Sequence, residues 1–522
     1  MKKLMVLLFA AGLVLGGASC ASAIDFKAEG EWLFGFGVGD GSFLSRTRDA
    51  ANGKVKRNNE DKFQANQRIR LQLEAVASEN LSGTLRFQIG DQPWGKAENG
   101  GALGADGKVV GVLNAYIDWM PPDTELKVRM GLQPLALPNV AGGSSILDTD
   151  SCAAVALSYQ FTENVGLSFF WARPWNDNYL ATGNNMGSKD HNAFVDNIDL
   201  FALSVPLTFD GVEVTPFIMY GLVGANAHRS WNDVDNVWDP DGLSGAMTSG
   251  FEDSGRWNNR GDYRRSKDSW HSAFWAGLPI KLTLWDPFNI EFEFNYGVTG
   301  SNGYGTITRA WDGVEKKYKT RSEGWLAKAL VEYKMDWGTP GIFGWYASGD
   351  DDNPKNGSER MPAIEAKGNF TTFMGDGNLG WAASESWYDR GLNYAGTWGI
   401  GLQIADMSFI EDLKHTFRVA YIGGTNSPSM AKYANNSWGW ATSYEDDSFA
   451  VASQPYLTTK DGLVEFNFLT SYQMYENFEV NFDFAYVINC IDRDTWKKAG
   501  LRDTSYSKRD AWRANLTFAY TF

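Results

Sequence analysis

The chain is poor in several residue types at once, and each shortage excludes something. Three cysteines in 522 residues cannot build a disulfide scaffold. There are only four histidines, His191, His228, His271 and His415. None has a serine or carboxylate partner at a telling spacing, so no enzyme is expected: no catalytic residue, no metal site and no cofactor. Basic residues are in deficit, 47 against 63 acidic, for a net charge of -16. That balance argues against nucleic acid as a partner and fits acidic exposed loops. Past the N-terminal segment no apolar run approaches the roughly 18 residues of a membrane helix. Proline is scarce, at 16 residues, which leaves room for many strands.

Aromatic residues and glycine are abundant instead: 22 Trp, 21 Tyr, 32 Phe and 56 Gly. That mixture suits many strands, interfacial aromatic belts and long loops. The last eleven residues show the pattern most clearly. Trp512, Ala514, Leu516, Phe518, Tyr520 and Phe522 share one parity, and Arg513, Asn515, Thr517, Ala519 and Thr521 share the other. A strand so written has an apolar side and a polar side. A mean hydropathy of -0.34 is no obstacle, because in a membrane barrel only alternate residues face lipid.

The first 23 residues read as a secretory signal peptide. Lys2 and Lys3 precede an apolar run to Gly17, followed by Ala21-Ser22-Ala23. Cleavage is expected after Ala23, leaving residues 24-522 as one barrel. The alternative, a lipoprotein signal at Cys20, has Gly17 where a leucine is usual. Cleavage leaves Cys152 and Cys490, whose pairing the sequence does not decide.

One unit then repeats: strand, tight turn, strand, long polar loop. Phe63, Ala65, Gln67, Ile69, Leu71, Leu73 and Ala75 alternate with polar residues, turn at Ser78-Glu79-Asn80, and return through Leu85, Phe87 and Ile89. Long loops rich in Asp, Asn, Gly and Ser separate the hairpins, the longest near 222-270, 350-393 and 425-461. Eight short turns and nine long loops predict eighteen antiparallel strands. Sixteen is the alternative if one of the proline-interrupted hairpins, 198-220 or 271-298, is loop. Hydrocarbon offers backbone groups no partners, so the sheet must close on itself. The expectation is a transmembrane β-barrel with short periplasmic turns and long extracellular loops in the cell outer membrane, in contact with its lipid and lipopolysaccharide. A barrel this wide keeps a water-filled lumen. Passive diffusion of small hydrophilic solutes or ions follows from that lumen.

Inside the barrel, Arg68, Arg70, Arg86, Lys127 and Arg129 fall on the inward parity of neighbouring strands. They are expected to form a basic strip lining the pore, only partly offset by Glu74 and Asp118. The third long loop, from Leu137 to Asp150, is less polar than the others and carries Gly142-Gly143. It is expected to fold into the lumen, with Asp148 and Asp150 facing the basic strip across a transverse field. Glu291 and Glu293 are read as hydrated charges on the far wall. A substrate-specific channel for sugars or oxyanions is the second reading, for which loop residues Trp231, Trp238, Trp257, Trp381 and Trp387 are candidate contacts. The acidic runs at 233-242 and 350-353 imitate part of a calcium loop but lack its full pattern.

On these stretches the chain resembles the homotrimeric outer-membrane porins of sulfate-reducing bacteria. The resemblance is carried by Ala23-Ile24-Asp25-Phe26-Lys27, the 63-90 hairpin, residues 115-120 with 127-131, and 137-150. The terminal Phe522 is shared more widely among barrels of this membrane, as a membrane-targeting end. The resemblance implies a trimer of barrels, each with its own pore. Classical porins carry Pro-Glu-Phe-Gly-Gly in the constricting loop, where this chain has Pro138-Asn139-Val140-Ala141-Gly142-Gly143. A preference for anions is the expectation drawn from the arginines.

Overall fold

The computed structural model describes residues 24-40, 44-45, 62-95, 110-176, 197-223, 264-265, 271-299, 303-308, 315-319, 321-353, 355-366, 368, 370-372, 394-431, 456-498, 507-508 and 510-522. The expected signal peptide lies outside them. In chain order the wall strands are β1 (Asp25–Asp40), β2 (Lys62–Ser78), β3 (Leu81–Pro93), β4 (Val110–Trp119), β5 (Leu126–Ala136) and β6 (Asp148–Thr162). Next come β7 (Val165–Asn176), β8 (Asn197–Ser204 with Leu207–Phe209), β9 (Val212–Val214 with Phe217–Val223), β10 (His271–Leu282), β11 (Phe288–Thr299) and β12 (Ser322–Tyr333). The last six are β13 (Thr339–Ala347), β14 (Thr397–Ile410), β15 (Leu413–Gly424), β16 (Gly462–Tyr475), β17 (Phe478–Asn489) and β18 (Ala511–Thr521).

Each strand pairs antiparallel with its neighbours in sequence. β1 pairs with β2 from Asp25↔Val76 to Gly39↔Lys62 and with β18 from Glu31↔Thr521 to Asp40↔Trp512, so the ring closes. The count is eighteen, not sixteen, because both proline-bearing hairpins form. Pro206 and Pro216 each break a strand in two. Proline loses only its donor, and its carbonyl still accepts. Gly166 N donates to Pro206 O at 2.9 Å, Val205 N to Pro216 O at 3.0 Å and Thr215 N to Pro279 O at 3.1 Å.

The two-residue rhythm sorts side chains as written. Along β18, Arg513 and Asn515 are buried inside while Tyr520 and Phe522 are exposed outside. Ile342, Tyr346, Ile400 and Leu402 stand on the exterior of β13 and β14. An aromatic girdle rings the short-turn end, with Phe161, Phe209, Trp285, Phe409 and Tyr475 all exposed. No helix among the described residues is long and apolar enough to cross a membrane. No disulfide joins Cys152, which is buried, to Cys490, which is exposed.

The seam is closed by the last residue. Gly30 N donates to Phe522 O at 2.9 Å and Phe522 N to Gly30 O at 3.1 Å. The Phe522 ring lies over Gly30 so closely that a Cβ there would meet it at 2.3 Å. Trp32 and Tyr520 flank that ring, each with a centroid separation of 5.9 Å. Phe522→Ala is therefore expected to cost the barrel about 1–2 kcal/mol, and Gly30→Leu to do at least as much harm. Heat-modifiable electrophoretic mobility after refolding in detergent measures both; unchanged refolding of either variant would contradict this seam.

Candidate pore constriction

The third long loop, residues 137-147 between β5 and β6, leaves the wall and crosses the interior to β11 and β12. Its apolar residues drive this, since Leu137, Ile146 and Leu147 are buried. The chain reverses at Ala141, Gly142 and Gly143, with φ of 44°, 83° and 82°. Glycine is needed for the crowding as well as the angle: a Cβ on Gly142 would lie 2.6 Å from the Tyr394 hydroxyl, and one on Gly143 2.9 Å from Gly368 Cα. At the tip, Val140 N donates to Glu293 Oε2 at 2.8 Å and Ala141 N to Glu291 Oε2 at 2.7 Å. Lys328 Nζ donates to Val140 O at 3.1 Å and to Gly143 O, and sits 3.2 Å from Glu293. Glu291 and Glu293 are thus the anchor of the loop rather than hydrated wall charges. The sequence placed them inward, but their partners come from a loop about 150 residues away.

A second loop joins the first, and sequence reasoning missed it. Residues 348-396 connect β13 to β14, and of these 358-366, 368 and 370-372 lie in the lumen. It lies beside the third loop through Asp148 N to Glu365 O at 2.8 Å, Ile364 N to Ile146 O at 2.9 Å and Gly368 N to Ser144 O at 2.7 Å. Phe370 stacks on Phe343 at 4.7 Å and on Trp345 at 5.9 Å. Those two wall aromatics in turn lie over Gly401 and Gly399, which have no side chain to block them. Trp275 Nε1 donates to Pro362 O at 2.8 Å. Farther on, Thr372 N donates to Glu465 Oε1 at 3.1 Å, and Arg513 donates to Thr372 O. The two loops form one body against the inner wall, mainly that of β8 to β14 with Glu465 of β16 and Arg513 of β18, and there Met219, Trp275 and Leu326 are wholly buried. The available signal was Met361, Ile364 and Phe370, apolar residues that follow the polar stretch 348-360.

The opposite sector keeps part of its charge accessible, at Lys127, Arg129 and Asp118, while Arg68 and Arg70 are largely covered. Arg68 lies 3.5 Å from Glu31 on β1. Arg70 contacts Asp150 at 2.7 Å and also donates to Gln88 Oε1 at 3.0 Å. Arg129 grips Asp118 with both nitrogens at 2.7 and 2.8 Å and stacks on the Tyr116 ring at 4.3 Å. Lys127 is exposed, and neither it nor Arg86 has an ion pair among the described residues. Asp148 and Asp150 both stand on β6 rather than in the loop. Asp150 therefore touches the basic strip directly instead of facing it across a gap, and the acidic residues of the far wall are taken up by the loop tip. A space of about 850 Å³ adjoins this sector, with Lys27, Glu74, Asp118, Lys127 and Arg129 among its lining.

At the root of the second loop, Asp350 is buried and accepts from Ser358 Oγ at 2.6 Å and Tyr456 OH at 2.6 Å. This ties the loop to the neighbouring 425-461 loop. Beside it, burial pushes the Glu359 carboxyl up to about 7, with the Asp350 and Asp351 carboxylates adding to the rise against the Asp351 N–H bond. No group of three or more potential metal ligands occurs among the described residues, the 350-353 run included. The 233-242 run and the five loop tryptophans lie outside them.

No family model and no curated protein matches the chain. Solved structures do. OccK11 (OpdR) of Pseudomonas aeruginosa is 10% identical, with 95% of this chain and 96% of that one covered and a TM-score of 0.46. OpdO of the same organism is 12% identical, with coverage of 95% and 97% and a TM-score of 0.47. A BenF-like porin from Pseudomonas fluorescens is 8% identical, with coverage of 95% and 98% and a TM-score of 0.45. These neighbours come from Pseudomonas, not from sulfate-reducing bacteria.

Two outcomes are expected of this site. Lys328→Met leaves Glu293 buried without its cation, at a cost of about 3–5 kcal/mol, visible as a lowered unfolding temperature in detergent. Glu359, held above the ordinary carboxylate range, favours the folded loop root fully below about pH 4.5, and that contribution is lost as pH rises through about 7. Amide protection factors of residues 350-359, with the intrinsic pH dependence of exchange divided out, should therefore fall across that interval, and Glu359→Gln should flatten the dependence.

Proposed function

We propose that this chain is an outer-membrane channel through which small hydrophilic solutes and ions diffuse. The observation that carries the reading is the pairing of an apolar exterior with a charged, solvent-accessible strip inside one closed ring. A backbone ring with no open edge is what a bilayer demands of a sheet, and an exterior of Leu, Ile and aromatics ending in a girdle suits lipid. The short turns then face the periplasm, the long loops face outward towards lipopolysaccharide, and residues 1-23 serve export. Phe522, locked into the seam, is the assembly end. The resemblance to trimeric porins supports a homotrimer.

Anion preference is part of the proposal, and the charge pairing sharpens which residues create it. Arg68, Arg70 and Arg129 each share their charge with a carboxylate, at 3.5, 2.7 and 2.7 Å. Lys127 and Arg86 do not, so the unbalanced positive potential in the strip comes from them. A substrate-specific channel is the second reading, favoured by the narrowing that two joined loops impose.

Planar-bilayer recording tests all of this. Conductance with an anion-selective reversal potential is expected of the purified protein. Lys127→Gln should move that potential towards cations, whereas Asp118→Asn combined with Arg129→Gln, which removes a neutral pair, should leave it in place. A cation-selective wild type would reject the anion preference, and absence of conductance would reject the channel. Saturable block by one solute class would favour the second reading.

A further inference from the structure

The tip of the third loop is held by more than the two carboxylates it touches. Glu291 Oε2 accepts from Ala141 N at 2.7 Å, while its Oε1 accepts from Asn289 Nδ2 at 3.1 Å. The same Asn289 amide donates to Glu332 Oε2 at 2.9 Å. Glu332 Oε1 accepts from Gln403 Nε2 at 2.7 Å, and Gln403 Oε1 accepts from Arg418 Nε at 3.0 Å. The bonds run unbroken across the inner wall from β15 to the loop tip. They cross β13 at Gly341, where a Cβ would lie 3.0 Å from Glu332 Cγ and 3.4 Å from Gln403 Cγ. Any larger residue there would part the two side chains. The bare position lets Glu332 and Gln403 meet over an intervening strand.

We propose that Asn289, Glu332, Gln403 and Arg418 are positioning residues that set the width of the bore by fixing Glu291 under the third loop. Three features point to it. Arg418 can only donate, so Gln403 turns its oxygen to Arg418 and its amide to Glu332, while the Asn289 amide donates to Glu332 on one side and to Glu291 on the other. Glu291 and Glu332 share the Asn289 amide, so displacement of Glu332 alters the geometry at Glu291. Glu291 meets the loop at Ala141, the residue where the backbone turns left-handed at φ 44°, and a loop held in that conformation depends on its anchors. None of the four residues touches the third loop itself in any bond described above; each acts through Glu291.

The inference rests on the reading of the lumen as a conduction path, and the test separates the two. Gln403→Met keeps the size and net charge of the wall but removes both bonds of the central link. Loss of two such bonds should raise the fraction of time spent in a displaced-loop, larger-conductance state by roughly 5- to 30-fold. Heat-modifiable mobility should stay that of the folded barrel, which a merely structural role for Gln403 would not predict together with altered conductance. The exchange variant Glu332→Gln with Gln403→Glu reverses donor and acceptor: Gln at 332 donates to the carboxylate at 403, which still accepts from Arg418. Wild-type conductance is expected to return in it, whereas Glu332→Gln alone should behave like Gln403→Met. Folded Gln403→Met barrels with wild-type conductance and noise would overturn the positioning role. A wild-type protein that conducts nothing would instead overturn the channel reading.

Discussion

The pairing of β1 with β18 is the interaction on which everything else rests. A sheet of this length has two edges, each a row of unpaired donors and acceptors, and such an edge is costly wherever water is excluded. Closure removes both. It also fixes which parity faces out, because one residue of slip would turn every side chain on a strand to the other face. The mutual bonds of Gly30 and Phe522 set that register at the chain's last residue, and the bare α-carbon of Gly30 lets the terminal ring lie flat against the wall.

Closure creates an interior that the wall's own side chains cannot fill. The protein answers with two loops that build a core on the inner face of β8 to β14. This core obeys the rules of a soluble interior. Aromatic rings stack on one another and lie over glycines, and the buried charges Lys328 and Glu293 are paired and hydrogen-bonded, as a low-dielectric setting requires. The remaining sector is left hydrated, and there Arg129 and Asp118 stay partly exposed. Access and enclosure are thus divided around the circumference, with β1 to β5 serving mainly the first and β8 to β14, joined by Glu465 of β16 and Arg513 of β18, the second.

Much of the wall is legible in the sequence, because strand alternation is a local signal. The terminal strand, the hairpins and the inward placement of Arg68, Arg70, Arg86, Lys127 and Arg129 all follow from parity. The entry of the third loop into the lumen could be read from Leu137, Ile146 and the glycine pair, since apolar loop residues need burial somewhere. What the sequence does not display is who meets whom inside. The bond from Ala141 to Glu291 spans 150 positions, and that from Tyr394 to Gly142 spans 252. No periodicity encodes such contacts. The loop near 350-393 was legible as a loop, but its descent was missed for the same reason: nothing local names the third loop as its partner. Asp148 and Asp150 fell to the strand because the ladder with β5 reaches back as far as Ala136↔Asp148.

The backbone bonds that join Ser144, Ile146 and Asp148 to Ile364, Glu365 and Gly368 make two distant stretches of chain a single mechanical part. A third loop transplanted from another barrel would arrive without its companion, and its glycine turn would find no Gly368 to nest against.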